Sequence, residues 1–258
     1  MIPTRSLALL LVLVALAVLG CKAGEPARQD IREQTVAGVR FVELFAHGAD
    51  QASPLLVGLH GRGGTPERFA RVWADFPAKL EIALAQAPLP YARGGAWFDW
   101  PPAMTDDALA DAVSAAEAQL WPAIAELAHG RKVLVSGFSQ GAVLAYVMAV
   151  RHPDAVAYAF PIAGRLPDKL LPRGNVRAAP VYALHGTADE MIDIDASRDA
   201  IAAFQSVGAP AELREFAGIG HTIAPEMRDD LRARVRAVVI GNGAAPARTG
   251  GDAAPTSR

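Results

Sequence analysis

The chain has 258 residues, of which 52% are hydrophobic, and this is enough apolar material to bury one substantial core. Its formal net charge is −2, so it lacks the basic surplus that nucleic-acid-binding proteins carry. Its single cysteine, Cys21, excludes a disulfide within the chain.

Residues 1–21 predict a bacterial lipoprotein signal peptide. One arginine precedes an unbroken apolar run from Leu7 to Leu19, and these 13 residues are fewer than the about 20 that a membrane-spanning helix needs. A short positive region, a short apolar region and a small residue before the break are typical of a secretory signal. Residues 18–21, VLGC, resemble a lipobox. The resemblance implies a protein of the bacterial cell envelope that faces the periplasm or the exterior, anchored to the membrane by lipid on Cys21, or secreted if Cys21 is not lipidated.

Residues 22–33 are interpreted as a tether that leads to a single domain over residues 34–240. The final segment, 241–258, contains no large apolar side chain. Because burial cannot offset the entropy of ordering it, this segment is expected to be disordered.

Apolar runs of strand length alternate with longer helical patterns along the domain. Predicted strands lie at 36–45, 55–59, 82–85, 133–135, 158–162, 181–184 and 211–216. Predicted helices lie near 66–76, from 105 to about 127, and at 140–151, 195–207 and 224–239. Pro122 is expected to kink or restart the second of these helices. This order of elements predicts an α/β fold, with a mostly parallel sheet covered by helices on both faces.

Residues 137–141, GFSQG, match the pattern G-x-S-x-G between a predicted strand and a predicted helix. A strand–turn–helix around this pattern builds a nucleophile elbow, whereas the pattern alone could be a solvated turn. The tight turn crowds the positions two before and two after the serine, where only glycine fits. Ser139 is therefore the candidate nucleophile, placed where the helix dipole favours negative charge.

A serine hydroxyl needs a base, and that base needs a partner that fixes its tautomer. Of the six histidines, His221 follows the last predicted strand in a glycine-rich loop and is the candidate base. The remaining histidines are expected to be structural: His47 in a turn, His60 and His185 shaping loops, and His129 and His152 at the surface or at helix ends.

Asp189 follows the 181–184 strand by a short loop and is the candidate acid that orients the base. It precedes His221 in the chain, which is the order that accompanies such an elbow. Glu190 and Asp193 lie close by and remain alternatives, as does a simple solvated acidic loop.

An oxyanion hole requires two main-chain N–H donors. The first is the amide of Gln140, directly after the candidate nucleophile, and the second is that of Arg62 in the LHGRGG loop after the 55–59 strand. The glycines of this loop let the backbone approach a substrate closely. The loop lacks the G-x-x-x-x-G-K-[ST] pattern of a phosphate loop, which argues against nucleotide binding.

The motifs LHGRGG, GFSQGA, HGTADE and GIGH together resemble the phospholipase/carboxylesterase family of α/β-hydrolases, which includes the acyl-protein thioesterases. The resemblance runs from about Val36 to Ile240 and implies the α/β-hydrolase fold. It implies Ser139, Asp189 and His221 as a catalytic triad, with the amides of Arg62 and Gln140 as oxyanion donors. The segment AWFDW also resembles that family's W-F segment beside the active site. Its Trp97, Phe98 and Trp100 either line a substrate pocket or serve as packing.

The predicted activity is two-step hydrolysis of a small-molecule or lipid ester, extending to thioesters or lysophospholipids, with no metal or organic cofactor. A lipidation signal is not general in the family and argues against cytosolic protein depalmitoylation. Two alternatives remain open: an acyltransferase whose acyl-enzyme is intercepted by an envelope alcohol, and an inactive envelope-binding lipoprotein of the same fold.

Overall fold

A computed structural model describes residues 30–241 as a central sheet flanked by helices. The strands are β1 (Asp30–Val36), β2 (Val39–Ala46), β3 (Leu55–Leu59), β4 (Leu80–Ala85), β5 (Leu89–Tyr91), β6 (Gly94–Ala96), β7 (Val133–Phe138), β8 (Val156–Ile162), β9 (Val181–Gly186) and β10 (Ala211–Phe216). The helices are α1 (Pro66–Trp73), α2 (Asp106–Ala128), α3 (Gln140–Arg151), α4 (Ile194–Ser206) and α5 (Pro225–Ile240), with a short 3₁₀ turn at Asp168–Leu170. The signal peptide with Cys21, most of the tether, and the tail from residue 242 lie outside the described residues.

Eight strands form the main sheet in the order β1-β2-β4-β3-β7-β8-β9-β10. The six strands from β4 to β10 in this order run parallel, while β1 and β2 form an antiparallel edge. Successive strand residues point to opposite faces, so Leu55 and Val57 pack with α2, α3 and α4, whereas Leu56 packs with α1 and α5. The predicted α/β fold with helices on both faces is confirmed.

The predicted strand at 36–45 is wrong in one respect, because it belongs to a hairpin. Ala37 and Gly38 reverse the chain with φ values of 45° and 81°, and β1 pairs with β2 on either side of them. The sheet therefore begins at Asp30, and residues 30–33, predicted as tether, lie in its edge strand. The alternation of polar and apolar residues continues through both strands and so does not show where one ends. The turn residues, Ala37 and Gly38, also lack the Asn-Gly or Asp-Gly sequence that usually marks a two-residue turn.

The other predicted strands and helices agree with the structure to within three residues. Helix α2 runs through Pro122 as one element of 23 residues, so the predicted restart is wrong. Leu120 and Ile124 keep the same buried face on both sides of the proline, which explains why the helix continues. The short hairpin of β5 and β6 was not predicted, because its strands have only three residues each and contain proline and glycine. Across residues 30–241, none of the helices combines the length and the apolar character needed to cross a bilayer.

Candidate active site

Ser139 lies in a sharp turn between the end of β7 and the start of α3. Its backbone is strained, with φ 55° and ψ −115°, and its amide donates to Ile162 O at 3.0 Å. A Cβ at Gly137 would lie 2.1 Å from Gly141 O, and one at Gly141 would lie 2.1 Å from Leu59 O. The predicted need for glycine on both sides of the serine is thus confirmed. The turn places the hydroxyl at the N-terminus of α3.

His221 and Asp189 meet Ser139 from two other loops at the same edge of the sheet. His221 follows β10, and its Nε2 lies 2.9 Å from Ser139 Oγ. Its Nδ1 lies 2.7 Å from Asp189 Oδ2. A carboxylate only accepts hydrogen bonds, so Nδ1 carries the proton and Nε2 accepts from the serine hydroxyl. The structure thus brings together the three side chains predicted as nucleophile, base and acid.

The Asp189 side chain is fully buried and receives donors on both oxygens. Its Oδ1 accepts from the amides of Met191 and Ile192, each at 2.9 Å. Burial pushes the pKa of this carboxyl upward, but the hydrogen bonds from Ile192, His221 and Met191 outweigh burial and hold the pKa below its ordinary value. Asp189 therefore stays ionised beside the imidazole at neutral pH.

The two alternative acids have other positions. Glu190 is exposed, and the Asp193 side chain accepts from the Asp195 amide at 2.9 Å, where it caps α4. Within residues 30–241, Asp189 is the only carboxylate hydrogen-bonded to His221. The geometry therefore favours Asp189 over both neighbours.

The loop after β3 runs beside Ser139. A Cβ at Gly61 would lie 2.9 Å from Phe138 Cδ1, so the loop packs directly on the elbow. The Gly63 and Gly64 amides are already engaged by carbonyls, whereas neither the Arg62 nor the Gln140 amide has a hydrogen-bond acceptor in the described part of the chain. These two N–H groups, which the sequence predicts as the oxyanion donors, therefore have no internal acceptor within residues 30–241 that competes for them.

The Arg62 side chain makes two contacts of its own. Its Nη1 donates to Trp100 O at 2.9 Å, and its guanidinium lies over the Tyr91 ring at 4.9 Å from the centroid. These contacts tie the loop to Trp100 and to Tyr91 of the β5–β6 hairpin.

The side chain of Gln140 fixes the aromatic segment to the elbow, a role that the sequence analysis did not identify. Its Oε1 accepts from Trp97 N at 3.0 Å, and its Nε2 donates to Phe98 O at 2.8 Å. The Trp97 indole donates in turn to His60 O at 2.7 Å. Trp97 and Phe98 are each 3% exposed and belong to the core, so the packing alternative holds for both. Only Trp100 of the three aromatics lines the cavity at Ser139.

His60 is buried and shapes the loop as predicted. Its Nε2 accepts from Ala87 N at 3.2 Å, which leaves the proton on Nδ1 to donate to Gly61 O at 2.8 Å. Burial lowers its pKa and keeps it neutral. Three other histidines with predicted structural roles lie in a turn (His47), at the left-handed C-terminus of α2 (His129) and at the C-terminus of α3 (His152).

An open cavity of about 500 Å³ lies over Ser139 and His221. Its apolar wall is formed by Trp100, Met104, Met191 and Ile192, together with Pro102. The polar part of the lining includes Arg165, which is ion-paired with Asp106 at the start of α2. The volume falls within the range of about 300–1,000 Å³ that is usual for small-ligand sites.

Residues 43–239 match the family described as Phospholipase/Carboxylesterase. A probable carboxylesterase of Oryza sativa subsp. japonica is 27% identical over 191 residues, which cover 65% of this chain and 81% of the relative. A second protein of the same plant, a probable inactive carboxylesterase, is 27% identical over 193 residues that cover 66% of this chain and 79% of the relative.

Among solved structures, that of esterase PE8 is 26% identical to this chain. The aligned region covers 75% of this chain and 96% of the chain of esterase PE8, with a TM-score of 0.67. The family match extends over the elements that carry the serine, the imidazole and the carboxylate. The chain therefore belongs to the phospholipase/carboxylesterase family of α/β-hydrolases and is a hydrolase of the esterase type.

Proposed function

We propose that this protein hydrolyses carboxylic esters by two-step acyl transfer through Ser139. The observation that carries the proposal is the unbroken relay of hydrogen bonds, 2.9 Å from Ser139 Oγ to His221 and 2.7 Å from His221 to Asp189. A nucleophile bonded to a base that is itself oriented by a third group is the arrangement that activates a hydroxyl. The alternative, an inactive envelope-binding lipoprotein of the same fold, would require none of this alignment.

In the first step, Ser139 Oγ bonds to the carbonyl carbon while its proton passes to His221 Nε2. The carbonyl oxygen becomes an oxyanion that accepts from the amides of Arg62 and Gln140. The bond from carbon to the leaving oxygen then breaks, and His221 gives its proton to the departing alcohol. In the second step, water attacks the acyl-enzyme with His221 as base, and the acid leaves as Ser139 regains its proton. Thioesters and lysophospholipids fit the same sequence of steps.

A fluorophosphonate probe is expected to label the wild-type protein on Ser139, because phosphonylation needs the same activated hydroxyl. The variant Ser139→Ala should show no labelling, while Ser206→Ala, which removes an exposed serine of α4, should label like wild type. Labelling is read by gel fluorescence and by the mass of the modified peptide. Persistent labelling of Ser139→Ala would remove Ser139 from the mechanism.

The cavity that would receive the acyl chain measures about 500 Å³, is open, and has a wall that is only partly apolar. A panel of p-nitrophenyl esters graded by acyl length gives kcat/KM for each length and so measures what this cavity admits. Repeating the assay with an added alcohol and analysing the products separates hydrolysis from transfer to an acceptor.

The protein is also proposed to be anchored to an envelope membrane through lipid on Cys21. The support is the VLGC sequence at the end of the predicted signal and the absence of any other cysteine in the chain. Residues 22–29, eight in number, separate Cys21 from the start of β1. Several acyl chains on one cysteine would anchor firmly, since each buried CH₂ adds about 0.8 kcal/mol.

We expect the full chain, expressed in a bacterium, to partition into the detergent phase of Triton X-114, and Cys21→Ala to remain in the aqueous phase or keep its signal peptide. Mass spectrometry of the mature N-terminus identifies the modified residue. An unmodified Cys21 in a cleaved, water-phase protein would show instead that the protein is secreted.

A further inference from the structure

A second imidazole contacts the acid of the triad. His185 lies near the end of β9 with its side chain fully buried, and its Nε2 is 3.2 Å from Asp189 Oδ2. The same nitrogen is 2.9 Å from Ile192 O. On the other side of the ring, Nδ1 lies 2.7 Å from Ser197 Oγ, which is 2.8 Å from Gly164 O.

These contacts determine where His185 carries a proton. Both neighbours of Nε2, a carbonyl oxygen and a carboxylate oxygen, can only accept. A bare Nε2 would direct its lone pair at two acceptors, so Nε2 must be protonated. The Ser197 hydroxyl has one proton. It donates this proton to Nδ1 when the ring is neutral and to Gly164 O when the ring is charged. In either state, Nε2 carries a proton that faces two acceptors, Ile192 O at 2.9 Å and Asp189 Oδ2 at 3.2 Å.

Burial lowers the pKa of His185 and favours the neutral ring with its proton on Nε2. Asp189 then has four N–H groups within reach: the amides of Met191 and Ile192 on Oδ1, His221 Nδ1 at 2.7 Å from Oδ2, and His185 Nε2 at 3.2 Å from Oδ2. A carboxylate has about four lone-pair sites, which is enough for these four contacts. Its plane is held in one orientation, and Oδ2 is shared between the two imidazoles.

We infer that His185 is a positioning residue for the reaction proposed above, which orients Oδ2 of Asp189 toward His221 and draws part of its negative charge away from that ring. The inference rests on the proposed function, since it gives His185 a role only through the triad. A residue that orients the acid in this way is comparable to the residues that hydrogen-bond to metal ligands and orient them. Loss of such an orienting residue typically costs about 10- to 100-fold in activity.

The charged groups around His185 do not change protonation near neutral pH. Glu215 lies opposite it in β10, and the hydrogen bond from Arg198 of α4 holds the Glu215 pKa low. The Arg198 pKa is raised by the same contact, and burial raises that of Tyr146 in α3. Since Asp189 is ionised as well, none of these groups accounts for a change in activity between about pH 5 and 8.

The test compares His185→Leu with His185→Gln. The Gln amide nitrogen reaches the place of Nε2 and restores an N–H toward Asp189, whereas Leu fills the space without a donor. We expect His185→Leu to lower kcat about 10- to 100-fold with KM within about twofold. The acid limb of its kcat/KM profile should move to higher pH, because Asp189 without this donor attracts protonated His221 more strongly. His185→Gln should recover most of the lost kcat and the wild-type profile.

The control is His152→Leu, which also removes an imidazole from a buried carboxylate, Glu117 at 2.6 Å, but far from Ser139. It should affect thermal stability and leave the pH profile unchanged. Fluorophosphonate titration of active sites corrects each kcat for the folded fraction. If His185→Leu does not fold, Ser197→Ala replaces it in the test, because it removes the hydrogen-bond partner of His185 Nδ1. The acid limb of its kcat/KM profile should also move to higher pH, by a smaller amount.

An unchanged kcat and profile in His185→Leu would overturn the inference, as would equal losses in the Leu and Gln variants without a shift. The wild-type protein separates this failure from a failure of the proposed function. If wild type shows no labelling of Ser139, both proposals are wrong. If wild type labels and turns over ester while His185→Leu behaves identically, only the role of His185 is wrong.

Discussion

Replacing Asp189 with Asn is expected to lower kcat by roughly 10⁴-fold while leaving KM close to that of wild type. The reason lies in the two backbone amides on Oδ1, which come from Met191 and Ile192 at 2.9 Å. They require an oxygen at this position, so the new NH₂ group must occupy the place of Oδ2. That NH₂ faces His221 Nδ1, which can then only accept. The ring proton therefore moves to Nε2. A protonated Nε2 cannot receive the proton of Ser139.

The matched controls are Glu190→Gln and Asp193→Asn, which neutralise the adjacent carboxylates without touching His221. Asn is a good helix N-cap, so Asp193→Asn should also preserve the start of α4. Both side chains line the cavity, so the comparison rests on kcat, which is expected to stay within about threefold of wild type. The measurement is kcat and KM for a p-nitrophenyl ester with active sites titrated. A near-normal Asp189→Asn beside an impaired control would transfer the role of the acid to that neighbour.

The sequence could predict the elbow because all of its determinants are local. Strand, turn and helix occupy consecutive residues, and the two glycines flank Ser139 at fixed spacing, so one pattern contains both the motif and its context. His221 and Asp189 could be placed because the loops at the carboxyl ends of parallel strands gather at one edge of the sheet. Their position depends on topology that the alternation of strands and helices already indicates.

Other features depend on contacts that no local pattern contains. The side-chain oxygen of Gln140 accepts from the backbone N–H of Trp97, which is 43 positions away. The segment around Trp97 is irregular and has no period that could assign a face to each ring. The contact between His185 and Asp189 joins residues four apart, yet it depends on the path of the loop between them. The first hairpin was missed for a similar reason, since its turn residues carry no distinctive signal.

Replacing Gly141 with Ala is expected to destabilise the protein by more than about 4 kcal/mol, or to prevent folding. Helix propensity alone predicts the opposite sign, because Ala is favoured over Gly within a helix by about 1 kcal/mol. The difference arises from the approach of α3 to β3. A Cβ at position 141 would lie 2.1 Å from Leu59 O and 2.9 Å from His60 O. Both atoms are backbone, and β3 is held between β4 and β7, so neither can move aside cheaply.

The control for this variant is Gly208→Ala, since Gly208 has φ 78° and nothing within 4 Å of an added Cβ. It isolates backbone strain, which costs about 1–2 kcal/mol for a residue in the left-handed region. Chemical denaturation gives the free energy of unfolding for both variants. A Gly141→Ala protein as stable as wild type would contradict the packing of α3 against β3. Any folded fraction should also lose activity beyond its loss of stability, because a displaced α3 carries Ser139 and the Gln140 amide away from His221 and the Arg62 amide.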